Sequence, residues 1–262
     1  MYGRGKDECC IKPLKTSVMR KKFIINPLCA CFCFLVSLAG HSQEVFSEYL
    51  SKDSFMDELE DLRKEFGKNK IIRGEIELEC LTALSYYPEL KATKITFQFG
   101  SPASTMVARP KFKSVLRSGY EREYEIIVKK PGTSGNGLDW TELSFNSLVG
   151  WIAHELGHIT HYTHKTSAGI LFTGIKYAFP KYRRRMERFT DNIVIHHDLG
   201  YALFEGTDCT INYSTVSSRY KNYLKKYYLS PPEIKEKIET RSLYKIIYRK
   251  LKVVKLDAIT KI

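Results

Sequence analysis

Cysteine is scarce in most of this chain. Five of its seven, Cys9, Cys10, Cys29, Cys31 and Cys33, lie in the first 42 residues, leaving Cys80 and Cys209 for the rest. Those two can pair in an oxidising compartment, but two cysteines exclude a disulfide-built scaffold. Internal repeats and low-complexity tracts are also missing, which argues against a repeat array. Acidic side chains are in deficit: 29 Asp and Glu face 42 Lys and Arg, a net charge of +13. The basic residues are spread through helical segments without a groove-reading motif, so no specific nucleic-acid partner is expected. A solvated face accounts for most of that charge, and acidic substrates or an anionic envelope surface are the partners it would favour.

The apolar run at residues 23–38 is interrupted by Asn26 and Pro27, which makes it poor for spanning a bilayer. Met19-Arg20-Lys21-Lys22 precede it as a basic segment, and residues 39–43 supply small side chains for cleavage. Residues 1–42 therefore read as an N-terminal extension plus signal peptide, with translation starting at Met19 and cleavage near Ser42. His41 stands where a lipid-bearing cysteine would follow Leu38-Ala39-Gly40, which argues against a lipoprotein. The expected location is periplasmic, cell-envelope or secreted. Residues 43–262 are then one domain, long enough to bury a sizeable core.

Within that domain, His154-Glu155-Leu156-Gly157-His158 spells HELGH, an instance of HExxH. Histidines four apart share a helix face, so both imidazoles can reach one metal ion, and the glutamate can take a proton from a water there. Such a pentapeptide arises by chance in on the order of one chain in a hundred of this length, so context decides. The preceding residues support a helix. Asp139 and Glu142 have capping-box spacing, with Thr141 and Ser144 as further caps, and Leu143, Phe145, Leu148, Trp151, Ile152, Leu156 and Ile159 recur at threes and fours.

A hydrolytic zinc site needs a third protein ligand. His164 has metzincin spacing, but the glycine at which that chain leaves its helix is replaced here by His161, and no Met-turn segment follows. On a continuous helix His164 would lie about 9 Å beyond His158 and rotated off the ligand face. Glu187 is the other candidate. Four residues before Asp191, it would share a helix face with it, so that Glu187 completes the site while Asp191 holds the far nitrogen of a ligand histidine. The plainer alternative makes both carboxylates surface partners of Arg183, Arg184, Arg185 and Arg188.

HExxH followed by ExxxD resembles the gluzincin zinc metallopeptidases, particularly the minigluzincin-like ones and the soluble catalytic core of the CAAX-prenyl-protease type. That resemblance implies one Zn2+ per chain held by His154, His158 and Glu187, with Glu155 as general base and Asp191 supporting His154. Thr190 departs from the alanine often found before the aspartate in the CAAX type, and the transmembrane helices of those enzymes are missing. His161 is expected to be packed or exposed near the ligand stripe. His196 and His197 are read as helix-end residues rather than as stabilisers of an oxyanion.

The remaining pattern is a helix over 45–66, a second over 76–87, and strands at 94–99, 105–113 and 120–129. Gly169 and Gly174 mark a turn, the helix bearing Glu187 starts near Pro180, and further helices cover 214–228 and 233–253. The expectation is an α+β, zincin-like single domain with a small antiparallel sheet packed on the HELGH helix and further helices. The strand at 121–129 is the expected edge that aligns a peptide. The expected function is that of an exported, monomeric zinc metalloendopeptidase acting on a peptide or protein substrate. The alternative is a non-catalytic envelope binding protein on the same scaffold.

Overall fold

The computed structural model describes residues 49–119, 121–133, 136–243 and 245. The expected leader at 1–42, with its cleavage point and five cysteines, lies outside the described residues. So does the end of the helix expected at 233–253. Among the described residues the architecture is α+β, with helices packed around one four-stranded sheet.

Ser51 caps the first helix, α1 (Lys52–Asp57), by accepting from the Ser54 N–H at 3.3 Å. The helix expected over 45–66 starts outside the described residues; within them it begins only at Lys52 and is broken at Glu58, beyond which α2 (Leu59–Phe66) turns Leu62 inward; α1 buries nothing. After β1 (Lys70–Ile71), helix α3 (Glu77–Ser85) is buried along most of its length. Cys80 lies there as a free, buried thiol, so the pairing with Cys209 is not made.

The sheet corrects the expected topology. Strands β2 (Lys94–Gly100), β3 (Met106–Pro110) and β4 (Glu123–Lys129) join β1 in the order β1-β2-β4-β3. β1 and β4 both run parallel to β2, and only β3 and β4 are antiparallel, so the sheet is mixed. β4, expected at the edge, is internal. Its Tyr124, Ile126 and Val128 are completely buried, and burial of that kind suits a central strand. β3 takes the edge instead, where Pro110, lacking an N–H, costs no ladder hydrogen bond.

The inward side chains of β2, β3 and β4 share one core with α3 and with α4 (Phe145–Thr163). The capping box of Asp139 and Glu142 is present, on a 3-10 turn just ahead of α4, and Ser144 caps α4 itself. Gly169 and Gly174 lie within a helix, α5 (Ser167–Tyr177), rather than a turn. Thr166 caps it by accepting from the Gly169 N–H at 3.1 Å, and Ile170 and Thr173 bury against the fold. Those contacts outweigh a helical penalty of about 1 kcal/mol per glycine.

Pro180 occupies the first turn of α6 (Pro180–His196), as expected. Helix α7 (Gly200–Asp208) passes into a π-helical turn, Cys209–Tyr213. Then α8 (Ser218–Tyr227) begins after the Ser217 cap rather than at Ser214. Residues 231–243 are helical, and their start is set by Ser230, whose N–H and Oγ both donate to Glu233 Oε2 at 2.8 Å.

Two glycines predict opposite responses to alanine. A Cβ on Gly150 of α4 would stand 2.2 Å from the Ala202 carbonyl oxygen of α7, whereas one on Gly174 would meet nothing within 4 Å. Gly150→Ala is expected to destabilise the fold by about 3 kcal/mol, and Gly174→Ala to stabilise it by about 0.5–1 kcal/mol, measured by urea denaturation.

A second test uses pH. His197 stacks on Tyr87, centroids 4.1 Å apart, and pairs with Glu89 at 3.0 Å. Burial lowers the His197 pKa, but the Glu89 hydrogen bond and charge win and raise it above its ordinary 6.5. Burial raises that of Glu89, but His197 and Thr160 bring it below 4.5. The histidine's contribution is complete below 6.5 and lost as pH rises through the raised value. The carboxylate's is complete above 4.5 and lost as pH falls through the lowered one. Glu89→Gln should therefore cost most near pH 5–6, up to about 1 kcal/mol for a partly wet pair, and progressively less at alkaline pH.

Candidate metal centre

α4 carries His154 and His158 one turn apart, and α6 faces them with Glu187, Thr190 and Asp191. The helices come close because Gly157 is bare: a Cβ there would stand 3.0 Å from Thr190 Cγ2. Glu187 Oε2 lies 3.0 Å from His154 Nε2 and 3.2 Å from His158 Nε2. His154, His158 and Glu187 offer ligand atoms within 4.8 Å of one another and can hold a metal ion.

The opposite ring nitrogens settle the tautomers. His154 Nδ1 is 2.9 Å from Asp191 Oδ1, and an ionised carboxylate only accepts, so Nδ1 donates. Thr190 Oγ1 donates to the Met186 carbonyl at 3.0 Å and so accepts from His158 Nδ1 at 3.2 Å. Two neutral rings protonated at Nδ1 turn bare Nε2 lone pairs toward Glu187. Lone pairs facing a carboxylate repel unless positive charge lies among them. Glu187 Oε1 adds to that demand, being buried without a hydrogen-bond partner.

With protons supplying the charge, the same demand appears as displaced acidities. Burial opposes a charged His154, but hydrogen bonds and charge from Asp191 and Glu187 outweigh it and push its pKa up to about 10. Burial opposes an ionised Glu187 as well, yet the charge of His158 and hydrogen bonds from both rings bring it down to about 2. The surroundings are aromatic. Tyr228 and Trp151 lie against the His154 ring at 5.2 and 6.1 Å, and Tyr162 stacks on His158 at 6.1 Å.

Glu155 lies beside the cluster, and burial raises its pKa. Its Oε2 accepts from the Ala108 N–H on edge strand β3 at 2.6 Å. Ala108 follows a residue that pairs inward to β4, so its N–H points off the sheet edge toward α4.

Compared with known proteins, the chain matches no family model, no curated protein and no solved structure.

All five expected site residues converge. The surface ion-pair alternative does not hold for Glu187 and Asp191, which are 0% and 1% exposed; it is Arg188 that pairs outward, with Glu233. His164 is the exposed C-cap of an unbroken α4 and stays out of the cluster. His161 turns its ring to Phe189, and its Nε2 is buried without a partner. His196 Nδ1 lies 2.8 Å from Arg241, so neither terminal histidine of α6 is free for an oxyanion.

Three contributors escaped sequence reasoning. Thr190 was legible as the residue three after Glu187 on the same helix face. The Leu229 N–H, which donates to Asp191 Oδ2 at 2.8 Å, and the Ala108 N–H carry no sequence signal.

Metal content after zinc reconstitution, read by mass spectrometry and competition titration, checks this assignment. One ion per wild-type chain is expected, with His164→Ala unchanged. Glu187→Ala should lose the ion, and Asp191→Asn should weaken affinity by about 10- to 100-fold.

Proposed function

We propose that this chain is a zinc-dependent metallopeptidase of the gluzincin kind, with a zincin-like fold. The observation that carries the reading is convergence across 33 residues of chain: HELGH on α4 meets Glu187 and Asp191 on α6. Two imidazole nitrogens and one carboxylate oxygen make a ligand set of the catalytic kind, which leaves one position open. Glu187 Oε2 stands 3.0 and 3.2 Å from the two ring nitrogens, and all three ligand atoms lie within 4.8 Å of one another, near enough that one ion would reach them all.

His154, His158 and Glu187 would hold the ion. When bound, zinc would polarise the scissile carbonyl and make a nearby water more acidic. Asp191 and Thr190 keep both rings turned for ligation. Glu155 takes the proton of the attacking water and delivers it to the leaving amine. On the outward side of β3 the Ala108 N–H is held by Glu155 and Pro110 has no N–H, so this edge offers an extended peptide the Ala108 and Pro110 carbonyls. Export through residues 1–42 belongs to this reading, with peptides or proteins of the periplasm, envelope or exterior as substrates.

A second reading is favoured by one observation: none of His154, Glu155, His158 and Glu187 is more than 7% exposed. A cluster so enclosed also suits a metal that stiffens a binding scaffold without catalysis. The two readings part on Glu155, which the peptidase reading needs as a general base and the scaffold reading needs only for its bond to the Ala108 N–H.

Hydrolysis of unfolded protein and of a fluorogenic peptide library, by zinc-loaded wild type and Glu155→Gln, decides between them. The peptidase reading expects Glu155→Gln to keep its metal and lose activity by about 10²- to 10⁴-fold. Equal cleavage by the two forms, or none by either, would leave the scaffold reading.

A further inference from the structure

Helix α5 is apolar on the wrong side. Its inward stripe is Ile170 and Thr173, which are buried on the fold. Leu171, Phe172 and Ile175 point outward at 56%, 60% and 64% exposure, followed by Phe179 at 63%. On a helix the first three lie within about 100° of one another, so they form a face rather than scattered exceptions. An exposed apolar face of this kind marks a docking surface.

The charge around it identifies the occupant. Residues 165–186 contain six basic side chains and no acidic one. Lys176, Lys181, Arg184 and Arg185 are exposed and make no ion pair among the described residues. A second copy of this chain would set like charges against each other across a two-fold interface. An anionic bilayer supplies both complements at once, headgroup phosphates for the cations and the acyl boundary for the apolar face. No described helix is long and apolar enough to cross a membrane, so attachment through α5 lies in the plane of the interface.

We propose that α5 and the start of α6 form an interfacial docking site for an anionic lipid bilayer. Leu171, Phe172, Ile175 and Phe179 enter the headgroup–acyl boundary while Lys176, Lys181, Arg184 and Arg185 contact the headgroups. The cation cluster ends two residues before Glu187 on the same helix, so docking holds the α4–α6 cluster next to the bilayer. This inference does not depend on the peptidase reading or on any metal.

Flotation of the full-length chain with phosphatidylglycerol-rich and with pure phosphatidylcholine vesicles tests it. Wild type is compared with Phe172→Glu/Ile175→Glu, Phe172→Ala/Ile175→Ala, Arg184→Glu/Arg185→Glu, and Met56→Glu as a control on α1. Circular dichroism verifies each fold, and the alanine pair stands in if the glutamate pair is unfolded. Partition onto the anionic vesicles should fall by about tenfold or more in both the apolar and the charge variants, with Met56→Glu unchanged. Wild type should bind the neutral vesicles more weakly and lose anionic binding in high salt. Equal partition by all forms would assign binding to another segment, such as the apolar run at 23–38, and overturn the proposal. So would loss in the charge variant alone, which is surface attraction without insertion. Self-association abolished by Ile175 substitution, with vesicle partition unmoved, would assign the face to a second copy instead.

Discussion

A carboxylate buried between two imidazoles is the constraint around which this molecule is arranged. Glu187 is fully buried, one of its oxygens faces both His154 and His158, and the other has no partner. An isolated charge in such a place is costly, and it persists only when positive charge shares the site. Several contacts along the α4–α6 seam serve that requirement. Asp191 and Thr190 turn the rings, the Leu229 N–H anchors Asp191, and Gly157 lets the two helices approach.

The rest of the fold holds α4 rigid so that the seam stays in register. Tyr87, just past the end of α3, donates its hydroxyl to the Ala153 carbonyl at 2.8 Å, one residue before His154. Gly150 brings α7 against the same helix, and β3 lays its edge along Glu155. At the far end, the guanidinium of Arg122 caps α4 by donating to the Tyr162 and Lys165 carbonyls at 3.2 and 2.8 Å. That cap stops α4 before His164 and separates it from α5. A helix held in this way keeps His154 and His158 in register with Glu187.

The site was more legible in the sequence than the sheet, and the reason is locality. HELGH and the glutamate–aspartate pair are four-residue spacings on single helices, and such spacings are read directly as faces. Their convergence followed from chemistry, because His, His and Glu suit one cation. Sheet order is non-local. The antiparallel expectation treated three successive strands as neighbours, whereas β3 swings to the outside of β4 and leaves β2 and β4 parallel. Pro110 carried a usable hint of that edge position. The glycines of α5 misled in another way, since their cost was offset by a cap and by packing. The outward face of α5 was illegible because periodic apolar residues look the same in sequence whether they face a core or a solvent boundary.

The most direct measurement is anomalous diffraction, at the zinc absorption edge, from crystals of the protein grown with zinc. A single peak is expected between His154 Nε2, His158 Nε2 and the Glu187 carboxylate, with Asp191 still bonded to His154 Nδ1. No peak there, or one ligated through His164 with Glu187 turned away, would contradict a cation-centred α4–α6 seam.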